Sequence, residues 1–218
     1  MGLETLGVSF VSAGQPAVRL EGRLHLPAAA NPSSAAVIAH PHPQWGGTMG
    51  SGVVVRIAQA LAERECAALR FNFRGVGRSE GTYAAGTGEV DDVRGALDYV
   101  AGLFDHAKGC RLAAVGYSFG AWVAARATCA DERVRVYAAV ALPMSSGYSV
   151  DLSACPYPKC FITGELDTIS PPELLRQYVG ALPEPKALHV IPGADHFLLG
   201  YEEDVADWVA GCVLDAIA

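Results

Sequence analysis

The sequence predicts an α/β fold: a doubly wound, mostly parallel sheet flanked by helices. Three observations carry that prediction. Short apolar runs alternate with longer amphipathic stretches along the chain, and continuous apolar strands belong in sheets covered by helices on both faces. The 218 residues, 51% hydrophobic and 18% charged, are enough for one such domain over 1–218, with no metal or disulfide staple needed for folding. A strand, a tight glycine-flanked turn and a helix follow one another directly at 111–130.

Taken in order, Thr5–Val11 reads as a strand. In Ala17–Leu26, Val18, Leu20, Gly22, Leu24 and Leu26 alternate with Arg19, Glu21, Arg23 and His25, the period of two expected of a half-buried antiparallel strand. Ala35–Ala39 is an apolar strand ending at His40. Ser51–Glu65 sets Val54, Ile57, Ala58, Leu61 and Ala62 at helical spacing. Ala67–Phe73 is a strand, and Glu89–Leu103 a helix with Val93, Ala96, Leu97 and Val100 as its apolar stripe. Arg111–Val115 (strand), Phe119–Ala130 (helix), Val134–Leu142 and Cys160–Thr163 (strands), Pro171–Leu182 (helix), Leu188–Ile191 (strand) and Glu203–Ile217 (helix) complete the alternation.

Composition excludes several classes of function. Lys plus Arg is 16 against 23 Asp plus Glu, a formal charge of −7, with no long basic run. That is the wrong sign for nucleic acid or an anionic membrane. Leu112–Ala125, the longest uncharged apolar stretch, is too short to span a bilayer. Met1–Gln15 lacks a basic start and carries Glu4, so no secretory signal is read there. Leu6 stands where a myristoylation pattern needs Ser or Thr. The six cysteines form no C-x-x-C pair and read as small buried thiols, reduced in a cytoplasmic protein, rather than as disulfides.

In parallel sheets ligands bind at the carboxyl ends of the strands. After Arg111–Val115 comes Gly116-Tyr117-Ser118-Phe119-Gly120, a G-x-S-x-G turn that lifts a serine hydroxyl above the sheet. The following helix start offers unpaired amides, and the Phe119 N–H would face a developing oxyanion. A serine needs a base, and the base an orienting acid. Asp167 and His196 follow later strands in the order Ser, Asp, His. Glu165 and Asp195 are rival acids and His189 a rival base, but His189 falls inside a strand. The second oxyanion donor is expected in His40-Pro41-His42-Pro43-Gln44-Trp45-Gly46-Gly47. Its prolines stiffen the backbone while His42 keeps its amide; Gln44 and Trp45 are the fallbacks. His40-x-His42 could hold zinc, but no third ligand at a clear spacing accompanies it, so neither a metal nor any other cofactor is expected. Arg74-Gly75-Val76-Gly77-Arg78-Ser79 half resembles a dinucleotide fingerprint, yet Glu80 replaces the third glycine. It reads as a structural turn with Arg74 paired to Glu89, Asp91 or Asp92.

Together, His40-Pro41-His42-Pro43 with Gly46-Gly47, the Phe71–Gly81 segment, Gly116–Gly120, Gly164-x-x-Asp167 and Asp195-His196-Phe197 resemble the α/β-hydrolase superfamily over nearly the whole chain. They look like its small bacterial lidless serine hydrolases, near the carboxylesterase and dienelactone-hydrolase branches. Dienelactone hydrolases usually carry Cys where Ser118 stands, and lipases often carry glycines where Pro41 and His42 stand. The resemblance implies a Ser118–Asp167–His196 triad cleaving carboxylic esters or thioesters. Caps in this superfamily are usually inserted after the strand ending here at Leu142, and Pro143–Lys159 is too short for one. An open site follows, with Trp45, Met144 and Phe197 as pocket walls and Tyr83, Phe119 and Ile169 as further candidates. The partner expected is a small-molecule ester or thioester, for a monomer or homodimer. The alternatives are a non-enzymatic binding protein on the same fold and a peptidase or amidase using the same triad.

Overall fold

The computed structural model describes residues 3–28, 32–104, 109–144 and 147–217. Among these, one sheet holds β1 (Glu4–Val11), β2 (Arg19–Leu26), β3 (Ser34–Ala39), β4 (Ala67–Phe71), β5 (Arg111–Tyr117), β6 (Val134–Val140), β7 (Lys159–Gly164) and β8 (Lys186–Ile191). The helices are α1 (Gly52–Glu63), α2 (Thr87–Leu103), α3 (Phe119–Thr128), α4 (Pro172–Ala181) and α5 (Glu202–Ile217), with a single 3-10 turn at Pro43–Trp45. The spatial order is β1-β2-β4-β3-β5-β6-β7-β8. β2 runs antiparallel to both its neighbours, and every other pairing is parallel.

Side-chain alternation explains why both faces are covered. In β3, Ala35, Val37 and Ala39 enter the core beneath α2 and α3, while Ala36 and Ile38 join the core of α1 and α5. β5 divides likewise, Leu112 and Ala114 to one side and Ala113, Val115 and Tyr117 to the other. β3 and β7 are buried along their whole length, which is why neither shows the alternation of β2. β2 buries Leu20, Gly22 and Leu24, the face its alternation assigns to the core, although His25 on the opposite face is buried too.

The register aligns the strand ends. Ala39 pairs with Gly116, Tyr117 with Val140, and Gly164 with Ile191, so the loops after β3, β5, β7 and β8 leave the same edge. Two strands stop earlier than the apolar pattern suggests. β4 ends at Phe71 rather than Phe73, and the Phe73 amide donates to His40 Nε2 at 3.1 Å instead of to a strand. β6 ends at Val140 rather than Leu142, where Ala141 turns to φ +49°. No helix lies among the described residues of the β6–β7 connection, and no cap domain covers the edge.

The cysteine expectation is overturned for four residues of the six. Cys129, at the end of α3, bonds Cys155 in the β6–β7 connection, and Cys160 of β7 bonds Cys212 of α5. The partners lie 26 and 52 residues apart, and packing brings them together, so spacing could not reveal them. Cys66 and Cys110 are free and buried, and burial pushes the Cys66 thiol up to about 12. No helix among the described residues is long and apolar enough to cross a membrane.

Candidate active site

The turn between β5 and α3 is shaped by what it lacks. A Cβ on Gly116 would lie 2.4 Å from the Ala121 nitrogen, and one on Gly120 2.4 Å from the Ala39 carbonyl oxygen. Only glycine lets α3 fold back so closely on β5 and β3. Between them Ser118 sits at φ +53°, ψ −119°, a region that costs a non-glycine residue about 1–3 kcal/mol. The Ser118 N–H donating to the Val140 carbonyl at 2.8 Å and the Ala121 N–H donating to the Ser118 carbonyl at 2.9 Å hold it there.

That conformation presents the Ser118 hydroxyl to His196, with Oγ 2.9 Å from Nε2. The other ring nitrogen, Nδ1, lies 2.8 and 3.0 Å from the two Asp167 carboxylate oxygens. A carboxylate only accepts, so Nδ1 carries the ring proton and Nε2 is left to accept from the serine. Asp167 Oδ1 also takes the N–H groups of Ile169 (2.8 Å) and Ser170 (2.7 Å). Burial alone would raise the Asp167 pKa. The hydrogen bond from His196 and the two amides outweigh it and hold the carboxyl below its ordinary range.

The rival side chains are engaged elsewhere. Glu165 accepts the Gly193 N–H, and Asp195 accepts the N–H groups of Phe197 and Leu198, so both shape the loop that carries His196. His189 stacks on Trp208 at 5.6 Å between centroids. Sequence reasoning missed Tyr117. Its buried hydroxyl donates to the His196 carbonyl at 2.8 Å, tying the strand before the serine to the histidine loop. Burial, then the charges of Asp167, Asp195 and Glu202, raise its pKa. Its position beside Ser118 was the only hint.

The loop after β3 divides its two histidines. His40 is fully buried; Nδ1 donates to the Pro41 carbonyl at 2.6 Å and Nε2 accepts the Phe73 N–H. Burial lowers its pKa to about 4, against the Pro41 hydrogen bond. With both nitrogens used by backbone, His40 is not available to a metal. The His42 carbonyl accepts the N–H groups of Trp45 and Gly47, closing the 3-10 turn. Its ring packs against Trp45, Tyr83 and Phe119, with Nδ1 accepting the Gln44 N–H and Nε2 3.1 Å from the Tyr83 hydroxyl. Burial lowers the His42 pKa, partly opposed by Glu89. The Phe119 ring is core, packed on Phe73 and Trp122, so that residue can face a ligand through its amide. Arg74 forks onto buried Asp92, with Nη2 donating to Oδ1 at 2.7 Å, and its loop is the expected structural turn.

A cavity of about 280 Å³ opens at this edge. Ser118, His196, His42, Trp45, Ile169 and Phe197 line it, together with Leu199 and Glu202, which the sequence did not single out. Met144 departs from its expected place. It lines a separate hollow with Leu142, Pro143, Tyr148, Ser149, Val150 and Tyr178, because its amide is bonded to the Ile169 carbonyl at 3.1 Å beyond the β6 end.

Residues 33–206 match the family described as an alpha/beta hydrolase domain. An uncharacterised protein of Rickettsia prowazekii is 32% identical over 190 residues, covering 84% of this chain and 79% of its own. An alpha-beta serine hydrolase homologue from Coxiella burnetii superposes with a TM-score of 0.82 at 32% identity, over 94% of this chain and 96% of the other. A serine hydrolase without a lid from Xanthomonas campestris gives a TM-score of 0.82 at 29% identity, over 96% and 94%.

Proposed function

The chain belongs to the alpha/beta hydrolase family, and on that premise we propose that it is a serine hydrolase cleaving carboxylic esters or thioesters through an acyl-enzyme on Ser118. One observation carries the reading: the unbroken line from Ser118 Oγ to His196 Nε2 at 2.9 Å and from His196 Nδ1 to Asp167 at 2.8 Å. In this mechanism Ser118 Oγ bonds to the substrate carbonyl carbon as its proton passes to His196 Nε2. Asp167 keeps the imidazole oriented and stabilises its positive charge. The amides of Phe119 and His42 receive the oxyanion, each such donor contributing about 2.7–4 kcal/mol in the transition state. The Nε2 proton then goes to the departing alcohol or thiol. In the second half a water gives its proton to Nε2 and its oxygen to the acyl carbon, the Ser118 bond breaks, and the proton returns to Oγ.

That the chain is a hydrolase of this fold rests on the family. The three residue roles rest on the geometry, the ester or thioester preference on the resemblance to carboxylesterases, and both are tested directly. Ser118→Ala is expected to abolish turnover of p-nitrophenyl butyrate and labelling by a fluorophosphonate probe, with the circular dichroism spectrum unchanged. Full turnover by that variant overturns the reading. A folded wild-type protein that neither turns over esters nor takes the label is instead a binding protein on this fold. Faster cleavage of matched amides than of esters would assign a peptidase or amidase.

A further inference from the structure

Beyond the reacting groups, the cavity has a particular electrostatic character. Its rim holds three of the most exposed large apolar side chains, Trp45 (76%), Phe197 (63%) and Leu199 (75%). Glu202 is the only Asp, Glu, Lys or Arg among the described residues lining it. Its Oε2 accepts the Gly200 N–H at 2.9 Å, and Arg56, one turn into α1, is paired with Glu203. No ion pair to Glu202 occurs among the described residues. The start of α1 (Ser51, Gly52, Val53) opens on the same cavity. A helix N-terminus amounts to roughly half a positive charge, and Glu202 already lies against Gly52, so a full negative charge faces a partial positive one. Asp195 and Asp167 lie behind on the His196 side, and Tyr117 at the cavity wall feels all three carboxylates as negative charge.

We propose that Glu202 sets the charge preference of this site, which takes neutral or cationic esters with short apolar groups and rejects esters bearing an anionic group. The proposal rests on the serine-hydrolase reading above. A cavity of about 280 Å³ keeps its walls within roughly one Debye length of one another, ~8 Å at physiological ionic strength. The Glu202 charge is therefore only partly screened by salt from a group bound beside Ser118. Removing it also frees the α1 N-terminus to favour an anion, which adds to the effect.

Three butyrate esters matched in size test this: butyrylcholine (cationic), 3,3-dimethylbutyl butyrate (neutral) and 2-sulfoethyl butyrate (anionic), with kcat/KM followed by acid release. Wild type is expected to favour the cation over the anion by about tenfold, and Glu202→Gln to shrink that ratio about fivefold. Asp204→Asn, two residues along the same helix, exposed and outside the cavity, is expected to keep the wild-type ratio. Because each ratio is taken within one preparation, a fall in the folded fraction does not alter it. A wild-type ratio at or below one, an unchanged ratio in Glu202→Gln, or an equal change in Asp204→Asn overturns the proposal while neutral-ester turnover leaves the hydrolase reading standing. Inertness toward all three esters overturns both.

Discussion

Asp167 and His40 are both buried, yet the protein holds them in opposite ways. Asp167 is kept charged by donors converging on it from His196, Ile169 and Ser170. Asp167→Asn preserves size but lets an amide N–H face Nδ1, so the imidazole turns to the wrong tautomer; kcat is expected to fall about 10³- to 10⁴-fold with little change in KM. A steady-state comparison at saturating p-nitrophenyl butyrate checks it. His40 is kept neutral, with a folded pKa of about 4 against 6.5. Between those values the unfolded chain binds more protons than the folded one. Its contribution is therefore complete above about pH 6.5 and lost as pH falls toward 4, roughly 3 kcal/mol in all. His25, lowered to about 4 by burial and then by Arg70 and Arg23, works in the same direction. Urea midpoints are expected to drop between pH 7 and 4.5, less steeply in His40→Gln. Chain order and strand-end position made Ser118, Asp167 and His196 legible. The structural duty of His40 was not, because its partner Phe73 lies 33 residues away.

At the scale of elements, the β5–α3 turn is the most exacting piece of the fold. Gly120→Ala would drive a methyl group to 2.4 Å from the Ala39 carbonyl oxygen, parting α3 from β3. The expected cost is about 3 kcal/mol or more, read as a shifted denaturation midpoint, and turnover of p-nitrophenyl butyrate is expected to fall with it because Ser118 moves with the helix. The elements themselves were readable since β2 and the helices announce periods of two and 3.6, and the central strands show as short apolar runs between them. Their ends were less so. β4 yields its Phe73 amide to His40, and β6 turns at Ala141; both ends are set by a neighbour across the sheet edge, where local pattern carries no information. The sequence shows Pro43–Trp45 only as a proline-stiffened loop, and the two bonds to the His42 carbonyl that make it a 3-10 turn are invisible in composition.

For the whole molecule, the two disulfides join regions that the sheet brings together: α3 to the β6–β7 connection, and β7 to α5. Closing loops of 26 and 52 residues is worth about 3–4 kcal/mol each in the chain-entropy account. Alkylation of the unfolded, unreduced protein is expected to modify two cysteines of the six, Cys66 and Cys110, and reduction to lower the urea midpoint markedly; modification of all six would refute the pairing. By itself the sequence determined the layered α/β architecture, the absence of a cap and the strand-end position of the serine, aspartate and histidine, because hydrophobic period and loop length are local properties. Only the tertiary structure decided which cysteines pair, that Met144 leaves the cavity, that Tyr117 grips the His196 loop and that Glu202 looks into the site. Each of these depends on distances between residues remote along the chain, which are fixed by the packing of helices on the sheet.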